Sequence, residues 1–525
     1  MPRSADLGLP RRPLRLAGGA VVALAIAGLI ITLFWSILGA AAMQPPGTAS
    51  VDLGYLIYIT ALQATLSTIL SLLVGVALAW ALNRLRFAGR SLIIGLFASA
   101  IVTPGLVVAF GLLSVWGRSG WLGGLNIPIF GLGGVVAAHL ILDGAFAARI
   151  LLARLDAIPE ARLKTGQSLA LDARTRFIVI DWPAMRGTLP GLGAIIFLLA
   201  FTSFPIVLLL GGGPAVQTLE AAIYAAVRLD FDLGAAVKLA LVQIAICSVI
   251  IVLSSALAPL STSLDRPSEP RWRDAPPARA LQWLVLAAAL LGFATPLLAV
   301  LADGLTGVGD VLMQPAFWSS LATSLWIGIA SALLAHVLAL VIASARAAST
   351  SRLARTLLGA PAYAYLAVPA VALSLGAFLL VRNMGILPDV AAPPVVVIAN
   401  ALLSLPFAMA TLAPPLEAIA RSRGRLIRSL DLGGLRQFTQ VEWPLIARDV
   451  GLVLALSFCF SLGDLGVIAL FGTQNFATLP LLLVRALGAY RTHDAATIAA
   501  LMLVLTIAAF VALPKLFERL GRAES

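Results

Sequence analysis

Apolar residues run along this chain in blocks of about twenty, the length that crosses a hydrocarbon core, and polar gaps rich in arginine separate them. The pattern predicts twelve spans, at residues 16–42, 56–82, 91–116, 132–153, 188–210, 234–258, 281–302, 317–343, 357–381, 394–414, 449–470 and 493–514. No series of ten-residue stretches alternates apolar and polar positions as a membrane barrel would. Backbone groups in lipid must be satisfied within each segment, so the spans are expected as helices and the fold as an all-α polytopic membrane protein.

Composition agrees with that reading and charge adds an orientation. Hydrophobic residues make up 60% of the 525 positions, charged residues 11%, and the mean hydropathy is +1.01, beyond what a soluble core needs. Among 36 Lys and Arg, only Arg118, Arg228, Arg382, Arg485 and Arg491 fall in the odd-numbered gaps between spans. By the positive-inside rule both termini are expected on the cytoplasmic side. The net charge of +12 is then a topology signal and calls for no nucleic-acid partner. The first apolar run follows Arg3, Arg11, Arg12 and Arg15 but is longer than a secretory signal and lacks a small-residue cleavage site, so it reads as a retained helix. Cys247 and Cys459 lie in separate spans, which suits neither a disulfide framework nor a metal site.

A repeat organises the spans. TALQATLSTILSLLVGVALAWALNR (Thr60 to Arg84) matches TSLWIGIASALLAHVLALVIASAR (Thr323 to Arg346), Pro104 and Gly111 match Pro369 and Gly376, and Phe146 matches Phe407, at offsets of 261 to 265. Two six-helix halves follow, 1–258 and 281–525, joined by a Pro- and Arg-bearing cytoplasmic linker at 259–280. An even helix number per half makes the repeat parallel.

One polar phrase is also duplicated: SLALDARTRFIVIDWP from Ser168 and SLDLGGLRQFTQVEWP from Ser429. Each lies in the longest cytoplasmic gap of its half, 154–186 and 415–448, where a loop of such length is uncommon without a function. A short amphipathic helix there is expected to expose Leu169, Leu171 and Phe177 in one half and Leu430, Leu432 and Phe438 in the other, and the closing Pro183 and Pro444 suit the first turn of the next helix. Two equivalent knobs suit a soluble partner with two-fold symmetry.

These loops resemble the "EAA" coupling loop of ATP-binding-cassette importer permeases. Phe177 to Trp182-Pro183 and Phe438 to Trp443-Pro444 fit the latter part of that pattern. Counting back from the prolines, the family's glycine falls on Ala170 and Asp431, while Pro159-Glu160-Ala161 and Gly166 keep the family's mutual spacing four residues early. FTSFPIVLLLGGGPAVQTLEAAIYAAVRLDFD (Phe201 to Asp232) and SLGDLGVIALFGTQNFATLPLLLVRALGAYRTHDAA (Ser461 to Ala496) narrow the resemblance to the fused permeases of thiamine and thiamine pyrophosphate importers. A fused iron(III) permease shares the layout and the loop, so an iron or other small-solute substrate stays open. The resemblance implies a type I importer permease fold, two copies of a cytoplasmic ATPase, a periplasmic substrate-binding protein and an inner-membrane location. It assigns ATPase coupling to Glu160, Gly166, Leu169, Phe177, Trp182 and Pro183, and to Glu417, Leu430, Phe438, Trp443 and Pro444. An ion-coupled carrier also has two parallel halves, but NRLRFAGRS (Asn83 to Ser91) lacks the acidic residue expected of that class, and its long loops fall elsewhere.

No GxxxxGK[ST] loop is present, and none of the three lysines follows a glycine. ATP hydrolysis, with its ATP and Mg²⁺, is therefore expected on a partner subunit, with no cofactor on this chain. Ionisable groups inside spans are candidates for the path: Asp143, Lys238, His139, His336 and Asp464. Asp464 aligns with Ser203 of the other half and either faces the thiazolium cation or is hydrogen-bonded at a helix contact between Gly463 and Gly466. Glu220 and Tyr224 either meet a ligand or the docked binding protein. Pro104 and Pro369 are expected to kink equivalent helices.

Overall fold

The computed structural model describes residues 12–42, 52–213, 216–255, 272 and 274–523; linker residues 259–271 and 273, and the tail with Arg3 and Arg11, lie outside the described residues. In chain order the helices are α1 (Arg12–Ala42), α2 (Leu53–Arg84), α3 (Arg90–Ala98), α4 (Gly105–Trp116), α5 (Leu132–Asp156), α6 (Glu160–Ser168), α7 (Ala173–Arg176), α8 (Trp182–Arg186), α9 (Leu189–Phe201), α10 (Phe204–Leu210), α11 (Leu219–Arg228) and α12 (Leu233–Ser255). The second half continues with α13 (Pro276–Gly304), α14 (Val308–Leu312), α15 (Pro315–Ala348), α16 (Arg352–Ala364), α17 (Ala370–Asn383), α18 (Pro388–Ser429), α19 (Leu435–Gln437), α20 (Trp443–Gly463), α21 (Ile468–Phe471), α22 (Leu479–Gly488) and α23 (Thr492–Ala523). Among the described residues there is no strand, and nine helices are long and apolar enough to span a membrane, twelve if each bent pair counts as one. The chain is an all-α, multi-pass membrane protein.

The repeated prolines do more than kink. The helical run Arg90–Ile101 meets α4 at 112°, and Arg352–Ala367 meets α17 at 100°. Pro104 (ψ 130°) and Pro369 (ψ 148°) are extended residues that begin the second helix of each pair. A proline lacks the N–H that would continue the preceding helix and disfavours helical geometry in the residue before it, so a full break results where a kink was expected. Helix α13 begins at Pro276, five residues ahead of the expected span, with proline in the first turn.

The chain divides into two compact units: residues 1–44, 320–478 and 505–525, and residues 45–319 with 479–504. This division does not follow the sequence halves, because α1 joins α16 to α21 and α13 joins α2 to α12. In the unit of 45–319 and 479–504, α5 is the central helix; 78% of its apolar window is buried, against 33% for α12 and α13, most of whose windows stay exposed. Small residues bring α2 against α5: a methyl at Gly75 would lie 2.5 Å from Ala147 Cβ. Helix α13 lies on α4, where a methyl at Gly111 would meet the Pro296 carbonyl oxygen at 2.6 Å. In the other unit α1 lies on α17 at the repeat-equivalent Gly376, whose carbonyl accepts from Ser36 Oγ at 2.9 Å. The matched glycines each receive the first helix of the opposite sequence half.

Candidate functional site: two repeated loops and an unwound span

Both loops are built on one local plan. Helix α6 ends with the Leu171 N–H on the Gly166 carbonyl (3.2 Å) and the Ala170 N–H on the Gln167 carbonyl (3.0 Å), and α18 ends with Leu432 N–H on Ile427 (3.0 Å) and Asp431 N–H on Arg428 (3.2 Å). These paired bonds form a Schellman motif, whose residue after the helix must turn left-handed. Ala170 and Asp431 both sit at φ 47°. They are the two positions where the sequence comparison places a glycine, and their left-handed backbone is the conformation that favours glycine. The left-handed region costs an L-residue about 1–2 kcal/mol relative to glycine.

The second part of each phrase is a π-helix, Phe177–Asp181 and Phe438–Glu442. The Trp182 N–H bonds the Phe177 carbonyl five residues back, and Trp443 bonds Phe438 in the same way. Pro183 and Pro444 cannot donate to the ladder, and a widened turn ahead of them accommodates the missing bond. Five-residue spacing stacks the same side chains: Phe177 lies 6.4 Å from Trp182 and Phe438 lies 6.1 Å from Trp443 between ring centroids. Leu169 and Leu430 are 67% and 59% exposed and form the outward apolar tips of the loops. Phe177 and Phe438, expected beside them, are half-buried. Phe177 and Trp182 instead line an apolar groove of about 660 Å³ together with Leu73, Trp80 and Leu281.

The loops differ where their sequences differ. Pro159 separates α5 from α6, whereas its counterpart Ala420 lets α18 run unbroken from its span through the loop. Asp172 caps α7, accepting from the Thr175 and Arg174 N–H groups, and hydrogen bonding led by Thr175 holds its carboxyl below the usual range. Gly434 (φ 61°) starts α19 with no such cap. Glu160 pairs with Lys164 at 3.0 Å on the exposed face of α6, and Glu417 pairs with Arg346 at 3.1 Å. Behind the π-turns lie buried charges. Arg84 bonds Asp181 at 2.5 Å, Arg176 meets Asp274 through Nη1 (2.5 Å) and Nη2 (2.7 Å), and Gln282 donates to Asp274 at 2.6 Å. Trp272 stacks on the Arg176 guanidinium at 4.6 Å. In the other unit Arg15 clamps Glu442 through two nitrogens at 2.6 and 3.1 Å, and Gln437 donates to Glu442 at 2.7 Å.

Within the spans, the chain unwinds at repeat-equivalent points. Helix α9 breaks before α10 at Ser203, and α20 breaks before α21 at Asp464. Asp464 Oδ1 accepts from the Gly466 N–H at 3.2 Å and Oδ2 from the Val467 N–H at 3.2 Å, so the carboxylate caps the restart of the helix. Ser203 makes no corresponding side-chain cap.

No family model matches the chain. The thiamine transport system permease protein ThiP of Brucella melitensis is 35% identical over 506 residues, 94% of this chain and 91% of that protein. ThiP of Escherichia coli is 37% identical over 473 residues (86% and 87%), and ThiP of Haemophilus influenzae 34% over 514 (94% and 95%). The chain belongs to the thiamine transport permease family.

In this family member Glu220 is completely buried in the first turn of α11, and Tyr224 packs its ring 5.1 Å from Phe204. Asp464 belongs to the other compact unit. Sequence reasoning missed Arg15, Arg176, Asp181, Asp274 and Glu442. An acid at each Asp/Glu-Trp-Pro step was visible in the repeat, but the cation that pairs with Glu442, Arg15, and the acid that pairs with Arg176, Asp274, come from distant segments.

Proposed function

We propose that this thiamine-family permease is the membrane-spanning subunit of an ATP-binding-cassette importer for thiamine and thiamine pyrophosphate. On this reading it lies in the inner membrane with both termini in the cytoplasm, forms the translocation path, and receives substrate from a periplasmic binding protein. Two copies of a cytoplasmic ATPase, which use the ATP and Mg²⁺, dock on the two repeated loops.

The observation that carries the reading is the duplicated loop structure: the same left-handed helix end, the same π-turn and the same exposed leucine occur twice, at equivalent places in the repeat. A dimeric motor needs two equivalent handles, and each leucine buried in a socket contributes about 1.5–3 kcal/mol. Continuous helix carries movement from the second handle into its span, since α18 is both loop and span. The substrate assignment is supported by the names of the relatives and by their coverage of nearly the whole chain.

The test is co-expression with the cognate ATPase. Leu169→Asp with Leu430→Asp is expected to abolish ATPase co-purification and thiamine uptake while the permease stays membrane-inserted at wild-type abundance. Co-purification at the wild-type level by that double variant would remove the loops as docking handles, and ATP-driven uptake of iron(III) instead of thiamine would replace the substrate.

A further inference from the structure

The end of the inter-half linker is packed into the first loop. Trp272 lies on the Arg176 guanidinium, and a methyl at Gly166 would come 2.9 Å from the Trp272 ring, so the indole is held between α6 and α7. Asp274, 8% exposed, makes two contacts with Arg176, which is completely buried, and accepts from Gln282 at the start of α13. Arg176 also lies 3.7 Å from Asp181, which Arg84 at the end of α2 holds at 2.5 Å. Two cations and two anions thus form a neutral buried chain running from α2 through the π-turn to the start of α13. Buried ion pairs give little net stability but fix geometry, because losing one partner strands the other's charge.

The first loop has a particular need for such a joint. Pro159 cuts α6 from α5, so no continuous helix ties this handle to its span, whereas α18 supplies that tie in the second loop. There the equivalent acid, Glu442, has one clamp from Arg15 and a neighbouring Gln437 in place of Arg176. We infer that Trp272 and Asp274 latch the first loop through Arg176, and that this latch transmits the motion of the docked ATPase to α2 and α13 in place of the missing helix. Trp272, Asp274 and Arg176 are therefore positioning residues for coupling, and the linker end is a working part of the first handle. The inference rests on the proposed docking of an ATPase on the loops.

The experiment uses the complete importer, reconstituted with its ATPase and binding protein, and reads folded yield, ATPase bound per permease, and ATP hydrolysed per thiamine transported. Asp274→Asn is expected to keep the ATPase bound while ATP spent per thiamine rises about tenfold, a coupling change of ordinary size. Arg176→Lys, which keeps the charge and loses the fork, should fall between that variant and wild type. Glu442→Gln should change the ratio less than Asp274→Asn, because α18 remains continuous. If Asp274→Asn folds poorly, Trp272→Ala tests the same joint without stranding a charge and should raise the ratio in the same direction. An unchanged ratio in the folded latch variants overturns the latch, as does a loss of transport that merely follows loss of bound ATPase. A wild-type permease that binds no ATPase overturns the docking proposal itself and is seen in the control.

Discussion

Asp464 decides whether the unwound point of α20 is an architectural break or a charged station on the path. Its carboxylate accepts two backbone N–H groups, Gly466 to Oδ1 and Val467 to Oδ2, each at 3.2 Å. Asp464→Asn leaves one acceptor oxygen, which at the Oδ1 position keeps the Gly466 bond but only a 3.5 Å contact with the Val467 N–H, so one bond is weakened or lost and the expected cost is at most about 0.5–1.5 kcal/mol. Asp464→Leu removes both acceptors and leaves two N–H groups unpaired among buried side chains, at about 1–3 kcal/mol each. Gly466 packs tightly beneath, since a methyl there would come 2.8 Å from Ala370 Cβ, so the segment has little room to find other partners. The assay pairs thermal unfolding of the purified permease with thiamine uptake normalised to folded protein. Asp464→Asn should unfold slightly earlier and transport within about twofold of wild type, the Asn retaining half of the cap. Asp464→Leu should fold poorly. An Asn variant of wild-type stability whose uptake per folded molecule collapses would refute the capping argument and place the charge on the path.

Three further outcomes follow from the geometry. Gly111→Ala sets a methyl 2.6 Å from the Pro296 carbonyl, backbone that cannot yield, and should destabilise by about 1–3 kcal/mol; Gly376→Ala meets Ile37 Cδ1 and the Leu33 carbonyl at 3.2 Å and should cost less, and the reverse order in thermal unfolding would contradict the packing described. Ala170→Gly relieves the left-handed strain and should retain ATPase binding, whereas Ala170→Val, β-branched at φ 47°, should lose it; equal binding by both would contradict the helix-end geometry. Phe177→Asp should lower folded yield more than it lowers ATPase binding per folded molecule, because Phe177 is half-buried against Trp182 in an apolar groove; normal yield with no bound ATPase would place Phe177 on the docking face instead.

Much of this architecture was legible in order along the chain. Helical spans, the repeat and the two loops depend on local hydropathy and on matched residues, so they could be read directly. The left-handed positions were also within reach, because aligning the prolines put the expected glycine on Ala170 and Asp431. What stayed hidden depends on long-range packing. Pro104 and Pro369 announce a bend but not its angle, which the following helix sets. The exchange of α1 and α13 between the two compact units has no signature in either helix; only Gly111 and Gly376 hint that another backbone approaches. The linker end reads as an exposed connector from its Pro and Arg content, and its docking becomes visible only when Trp272 is found on Arg176.

The central claim, that a permease with two loop handles moves thiamine at the expense of ATP hydrolysed elsewhere, is tested most directly in sealed vesicles. The permease is reconstituted with its ATPase enclosed, binding protein outside, and labelled thiamine added with ATP inside. Uptake that needs ATP, the ATPase and the binding protein together, and that disappears with Leu169→Asp and Leu430→Asp, is the result expected. ATP-independent uptake driven by an ion gradient, or uptake unaffected by the two loop substitutions, would contradict the account.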